Sequence, residues 1–222
     1  MGKVIGDLLP TALGVAISPV PIIAVILMLF APHARSASLA FLVGWVVGVA
    51  VVLAVVTALL GPTNGSPDDP STVASVLKIV LGALAVLLGA RQWQGRPHAG
   101  ETAELPSWMK AVDTMTAVRA GGLGLLLSAA NPKNLALCIA GGATIGGAGL
   151  AVGQEVIAGA VFVVVASISI GVPVIGYLVA ADRMRAPLNE LREWLTVHNA
   201  AVLSVLLLVI GVALIGKGVG GL

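Results

Sequence analysis

Asn131-Pro132-Lys133-Asn134 sets a cation beside a helix breaker in the most apolar part of a very apolar chain, and Ser18-Pro19-Val20-Pro21 breaks the chain in a similar way upstream. Inside a bilayer no water satisfies a freed backbone group. Broken helices and charges are therefore kept at membrane depth only where they are buried in protein or line a wet cavity. The two stretches point to a transporter with helices broken at mid-span.

The rest of the composition agrees. Hydrophobic residues make up 58% of the 222 and charged residues 10%, with a mean hydropathy of +1.06. A soluble domain carries about 25% charged residues, so this chain lacks the polar surface to cover itself in water. A net charge of +2 is too small to imply a nucleic-acid partner. Cys138 is the single cysteine, which leaves no intrachain disulfide, no redox pair and no zinc cluster. The first apolar run is too long and too proline-rich for a cleaved signal peptide.

A crossing helix needs roughly 20 apolar residues, which predicts spans at Leu8–Phe30, Ser38–Leu60, Val73–Ala90, Gly121–Ile145, Ala151–Ala181 and Ala200–Gly216. Pro173 offers the long fifth span a place to bend. The expectation is an all-α membrane protein of six helices in one domain, 1–222. Residues 1–90 form a first half of three helices, 91–120 a loop with an amphipathic segment, and 121–222 a second half of three. Arg35, Arg91, Arg96, Lys110, Arg119, Arg183, Arg185 and Arg192 gather at loops one, three and five. The positive-inside rule then places those loops in the cytoplasm and both termini outside the cytoplasmic membrane. Trp93, Trp108, Trp194 and Tyr177 fall near the same interface. After Pro106, the residues Trp108, Val112 and Met115 share one helical face, as do Leu188, Leu191 and Leu195 after Pro187. Such faces lie in the interface plane or cap the bundle.

Helices one and four both carry a proline motif near mid-span, and each opens a set of three. An odd set must enter from the opposite side, which is the arithmetic of a 3+3 inverted repeat. Aligning Pro21 with Pro132 matches only apolar and small neighbours, so the repeat rests on topology and motif position. In regular helices, Pro19 and Pro21 would free the carbonyls of Val15 and Ile17, Pro132 that of Ser128, and Pro173 that of Ser169. Ser18, Asn131 and Asn134 add side-chain donors and acceptors at that depth. Lys133 lies about 18 Å along its helix from either end at 1.5 Å per residue, and no acidic residue lies inside a span. Lys133 must then be neutral, be caged by freed carbonyls and amides, or face a wet cavity that admits an anion; the last two fit a cargo or ion site made of Ser18, Pro19, Pro21, Asn131, Pro132, Lys133 and Asn134. Lys78, Ser128 and Pro173 are secondary candidates, and Lys78 is close enough to the outer surface to snorkel. The small-xxx-small pairs Gly44/Gly48, Gly142/Gly146 and Gly216/Gly220 allow close helix contact, within the chain or with a second copy in a homo-oligomer.

Several of these residues resemble a known family. They run from Ala16-Ile17-Ser18-Pro19-Val20-Pro21-Ile22 through Gly44-Trp45, Lys78 with Leu81-Gly82, Arg91-Gln92-Trp93 and Pro106-Ser107-Trp108. They continue with Asn131-Pro132-Lys133-Asn134, Pro173, Leu191-Arg192-Glu193-Trp194-Leu195 with His198-Asn199, and Ile210-Gly211 to Gly216. Together they are similar to the GAP/Sap family, the glycopeptidolipid- and sulfolipid-addressing proteins, within the lysine-exporter superfamily. The resemblance implies a six-helix inner-membrane protein that moves an envelope lipid or glycolipid outward, alone or beside a larger lipid exporter. The wider superfamily implies an alternative, export of amino acids or other small solutes; a third reading is an accessory protein that moves nothing itself. Catalysis is not expected. His33, His98 and His198 sit near loops and no nucleophile–base pair is visible. No cofactor or metal is implied, and no ATP-binding motif is present, so active transport needs ion coupling or another protein's energy.

Overall fold

The computed structural model describes residues 1–59, 72–94 and 115–221. Those residues form seven helices and no strand: α1 (Gly2–Ala16), α2 (Pro19–Phe30), α3 (Ala34–Leu59), α4 (Thr72–Gln94), α5 (Ala117–Ala129), α6 (Pro132–Gly146) and α7 (Val152–Val219). The chain is an all-helical membrane protein. By length and composition α3 and α7 are able to cross a bilayer, and the number rises to four when α1+α2 and α5+α6 each count as one bent span. Trp108 and Val112 of the expected amphipathic face lie outside the described residues, as does the second loop. Met115 is half-buried against the core.

Both proline motifs break the helix outright. The axis bends by 54° between α1 and α2 and by 63° between α5 and α6. Pro19 and Pro132 each follow an N-cap residue, Ser18 and Asn131, and open the second half-helix. That corrects the expected alignment, since Pro19 rather than Pro21 matches Pro132. It also changes the physics. A proline in the first turn removes an N–H that had no helical partner anyway. The carbonyls left for other partners lie at the end of the helix that stops: Ile17, four residues before Pro21 as expected, and Gly14, five residues before Pro19.

The α7 helix is 68 residues long, but it does not run straight. Ser169 and Ile210 both touch the end of α1, through Ala16 and Gly14 respectively. Forty-one residues of straight helix would hold them about 60 Å apart. The chain therefore folds back between them, at Ala180, whose φ of −146° and ψ of 60° leave the helical region. The reversal lies at the expected end of the fifth span, Ala151–Ala181, and the backbone at Pro173, the expected bend, keeps helical angles. Pro173 is buried inside α7. Leu188 and Leu195 enter the core beyond the reversal, and Leu191, at the edge of the same helical face, is 38% exposed.

Small residues set the closest helix contacts, because a bilayer gives apolar side chains little reason to prefer each other over lipid tails. A Cβ on Gly44 would lie 2.0 Å from the Gly121 carbonyl oxygen, and one on Gly48 the same distance from Ser128 Oγ. Between α4 and α7 the contact is reciprocal: a Cβ on Gly82 would stand 2.7 Å from the Gly211 oxygen, and one on Gly211 equally close to the Gly82 oxygen. Gly142 packs on α3, but Gly216 meets nothing within 4 Å and Gly220 only its own last turn. The third small-xxx-small pair is therefore not an internal contact. Gly211→Ala is expected to cost about 1 kcal/mol, the low end for overpacking, and Gly216→Ala to change nothing. Thermal melts of the two variants in detergent check this.

An ion pair closes one end of the bundle, with Lys217 Nζ 2.9 Å from Asp7 Oδ1. The two ends of the described chain therefore meet at the same side. The core beneath is continuous, with Phe41, Trp45 and Phe162 fully enclosed. Trp45 Nε1 donates to the Ala166 carbonyl at 3.3 Å, which pins α3 to α7.

Candidate functional site

Where α1 stops, its last carbonyls have no helical N–H to accept. Lys133 supplies the donors from α6: its Nζ lies 2.6 Å from the Gly14 oxygen and 3.0 Å from the Ile17 oxygen. An ammonium at a helix C-terminus also meets the negative end of the macrodipole. The side chain is 6% exposed. A buried cation with no carboxylate partner is thus held by backbone oxygens, and two of its three donors are used.

The second break is satisfied from the same helix. Asn134, fully buried, donates its Nδ2 to the Leu127 carbonyl at 2.9 Å, and its Oδ1 accepts from Ser18 Oγ at 3.3 Å. Gly14 and Leu127 each lie five residues before the proline that opens the next half-helix. The two breaks expose corresponding carbonyls, and neighbouring residues of α6 serve both. Asn131 caps α6 itself, its Oδ1 accepting from the Lys133 backbone N–H at 3.0 Å. Ser169 of α7 donates to Ala16, closing the ring around the end of α1.

Beside this junction lies a cavity of about 280 Å³. Ser18, Asn131 and Lys133 line it from the breaks, and Arg91 and Gln92 from the last turn of α4. Val20, Leu88, Pro132, Leu203 and Leu207 complete an apolar wall. The expected residues Ser18, Pro19, Asn131, Pro132, Lys133 and Asn134 thus cluster at one junction, and Pro21 is buried in the first turn of α2. The secondary candidates do not join the cavity lining. Ser128 is buried and returns its hydroxyl to the Leu125 carbonyl. Lys78 lies on α4, a helix that reaches the cavity only in its last two turns, through Leu88, Arg91 and Gln92.

The sequence offers Arg91 as an orientation signal and places it, with Gln92, in a motif of the resemblance, and gives neither a binding role. Their place in the cavity depends on how α4 packs against α7, which periodicity does not disclose. A cation one turn from the end of an apolar helix reads equally well as a loop-facing charge.

A chain with two broken helices, a lysine bridging the breaks and a cavity lined by polar and apolar residues belongs to the class of polytopic membrane proteins with a buried polar centre. The family model described as Sap, sulfolipid-1-addressing protein, matches residues 8–220. The chain belongs to that family. No curated protein and no solved structure matches it.

Proposed function

We propose that this protein crosses the cytoplasmic membrane six times and moves an amphipathic envelope lipid or glycolipid outward, by itself or with a larger exporter. The supporting observation is the junction of two broken helices around Lys133, beside a cavity with a polar floor and an apolar wall. Discontinuous helices meeting at mid-depth are how secondary transporters build their sites. Six spans follow if α4 and the two arms of α7 are counted with α3 and the two bent pairs. The two halves are then related by a pseudo-two-fold axis in the membrane plane, with Pro19 and Pro132 as equivalents. The family's description, which names sulfolipid-1 addressing, is consistent with lipid cargo.

One observation favours small-solute export instead. The cavity is at the small end of the roughly 300–1,000 Å³ usual for small-molecule sites, large enough for a head group or an amino acid and too small for a whole lipid. Comparing the outer-envelope lipids of cells with and without the gene separates the two: loss of one surface lipid class supports lipid movement, and an unchanged lipid profile with retained amino acids supports solute export. Transport by the purified protein in liposomes distinguishes a carrier from an accessory protein.

The orientation has its own test. Ser36 stands at the first loop and Ala151 at the turn before α7, both exposed. In a Cys138→Ser background, Ser36→Cys is expected to react from the cytoplasm only and Ala151→Cys from outside only. Labelling of both from one side would remove the proposed topology.

A further inference from the structure

We infer that Arg91 and Gln92 of α4, with Lys133 and Asn131 of α6, form a binding site for a tetrahedral oxyanion ester, the sulfate or phosphate group of an amphipathic cargo. The inference rests on the lipid-moving reading for its cargo, and adds to it the head-group chemistry and the residue that selects it. Two basic side chains face one small cavity, and no acidic side chain among the described residues lines it. Lys133 is largely committed, because two of its donors hold the end of α1. Arg91 is exposed and makes no hydrogen bond or ion pair with another described residue. Its planar guanidinium presents paired donors that match two oxygens of a sulfate or phosphate, which an ammonium does not.

The surroundings favour the same ligand. Pro132 opens α6 at the cavity, so the positive end of that helix faces the bound group. The remaining Lys133 donor and the Asn131 and Gln92 side chains are available for further oxygens. A zwitterionic amino acid fits less well, since its α-ammonium would meet two basic side chains and no carboxylate among the described residues. The wall of Leu88, Leu203 and Leu207 gives the apolar part of a cargo a surface beside its head group.

The test uses the purified full chain in dodecyl maltoside micelles, which carry neither sulfate nor phosphate. Binding of sulfatide is compared with that of galactosylceramide, which differs only by the sulfate, and inorganic sulfate is titrated separately. Sulfatide is expected to bind about tenfold or more tightly than galactosylceramide, the scale of one charge-assisted hydrogen bond. Arg91→Gln is expected to abolish that preference, Arg91→Lys to keep part of it, and Arg183→Gln, a change at the α7 reversal, to leave it intact. Thermal melts confirm that the variants fold. Direct binding of inorganic sulfate that is lost in Arg91→Gln supports the site even where sulfatide is not preferred, and assigns the anion to a free solute; the lipid head-group assignment then fails and the site stands. If sulfatide shows no preference and inorganic sulfate does not bind, or if either binds unchanged in Arg91→Gln, the inference is overturned.

Discussion

Lys133→Met is expected to stop cargo movement while leaving a folded protein. Two opposing terms explain why the fold survives. A lysine charge at mid-membrane costs about 3 kcal/mol even on the lenient insertion scale, and methionine removes that cost while keeping the length and apolar stem. Against this, the Gly14 and Ile17 carbonyls lose their donor, at about 1–3 kcal/mol for a buried group left unpaired. The terms are of similar size, so the net change in stability is small. Function has no such offset, because nothing else in the junction supplies a cation at that position. Export is expected to fall by about tenfold or more, the effect of losing one charge-assisted contact. Lys133→Arg keeps the charge, but its wider, planar head does not converge on two carbonyls as an ammonium does, and an intermediate rate is expected. Export by Lys133→Met at the normal rate, with normal protein levels, would show the lysine to be a helix cap and nothing more.

This outcome bears on how the sequence is read. The broken helices were legible because proline, a polar neighbour and an apolar background leave few alternatives in a membrane. Lys133 was legible for the same reason, and the options weighed for it included a carbonyl cage. Of the two carbonyls in the cage, Ile17, four residues before Pro21, was legible and Gly14 was not. The four-residue rule for proline assumes a helix that continues, whereas here α1 ends at Ala16 and the next helix begins at Pro19. The reversal at Ala180 falls within a residue of the expected end of the fifth span, Ala151–Ala181, where Asp182, Arg183 and Arg185 follow. What was not legible is that helix resumes directly beyond it, through the stretch expected as a loop. Arg91 entered the cavity through the Gly82–Gly211 contact, a pairing between residues far apart in sequence.

Asn134→Leu is the sharper structural test of the junction. The substitution keeps the branching and the number of heavy atoms, but it removes both the donor to Leu127 and the acceptor for Ser18. The Leu127 bond is the stronger of the two at 2.9 Å, while 3.3 Å is long for a hydroxyl donor. Interhelical hydrogen bonds in membranes average about 0.6 kcal/mol and reach about 1.7. A break carbonyl has no helical N–H to fall back on, which places its loss near the upper end. Asn134→Leu is therefore expected to cost about 2 kcal/mol, and Ser18→Ala about 0.6 kcal/mol. Because Ser18 donates to the atom that Asn134→Leu removes, the double variant is expected to cost no more than Asn134→Leu alone. Export is expected to fall several-fold in Asn134→Leu, since the residue next to Lys133 then no longer ties α6 to both breaks. Additive costs in the double variant would mean that Ser18 and Asn134 act independently. The two breaks would then be joined by Lys133 alone.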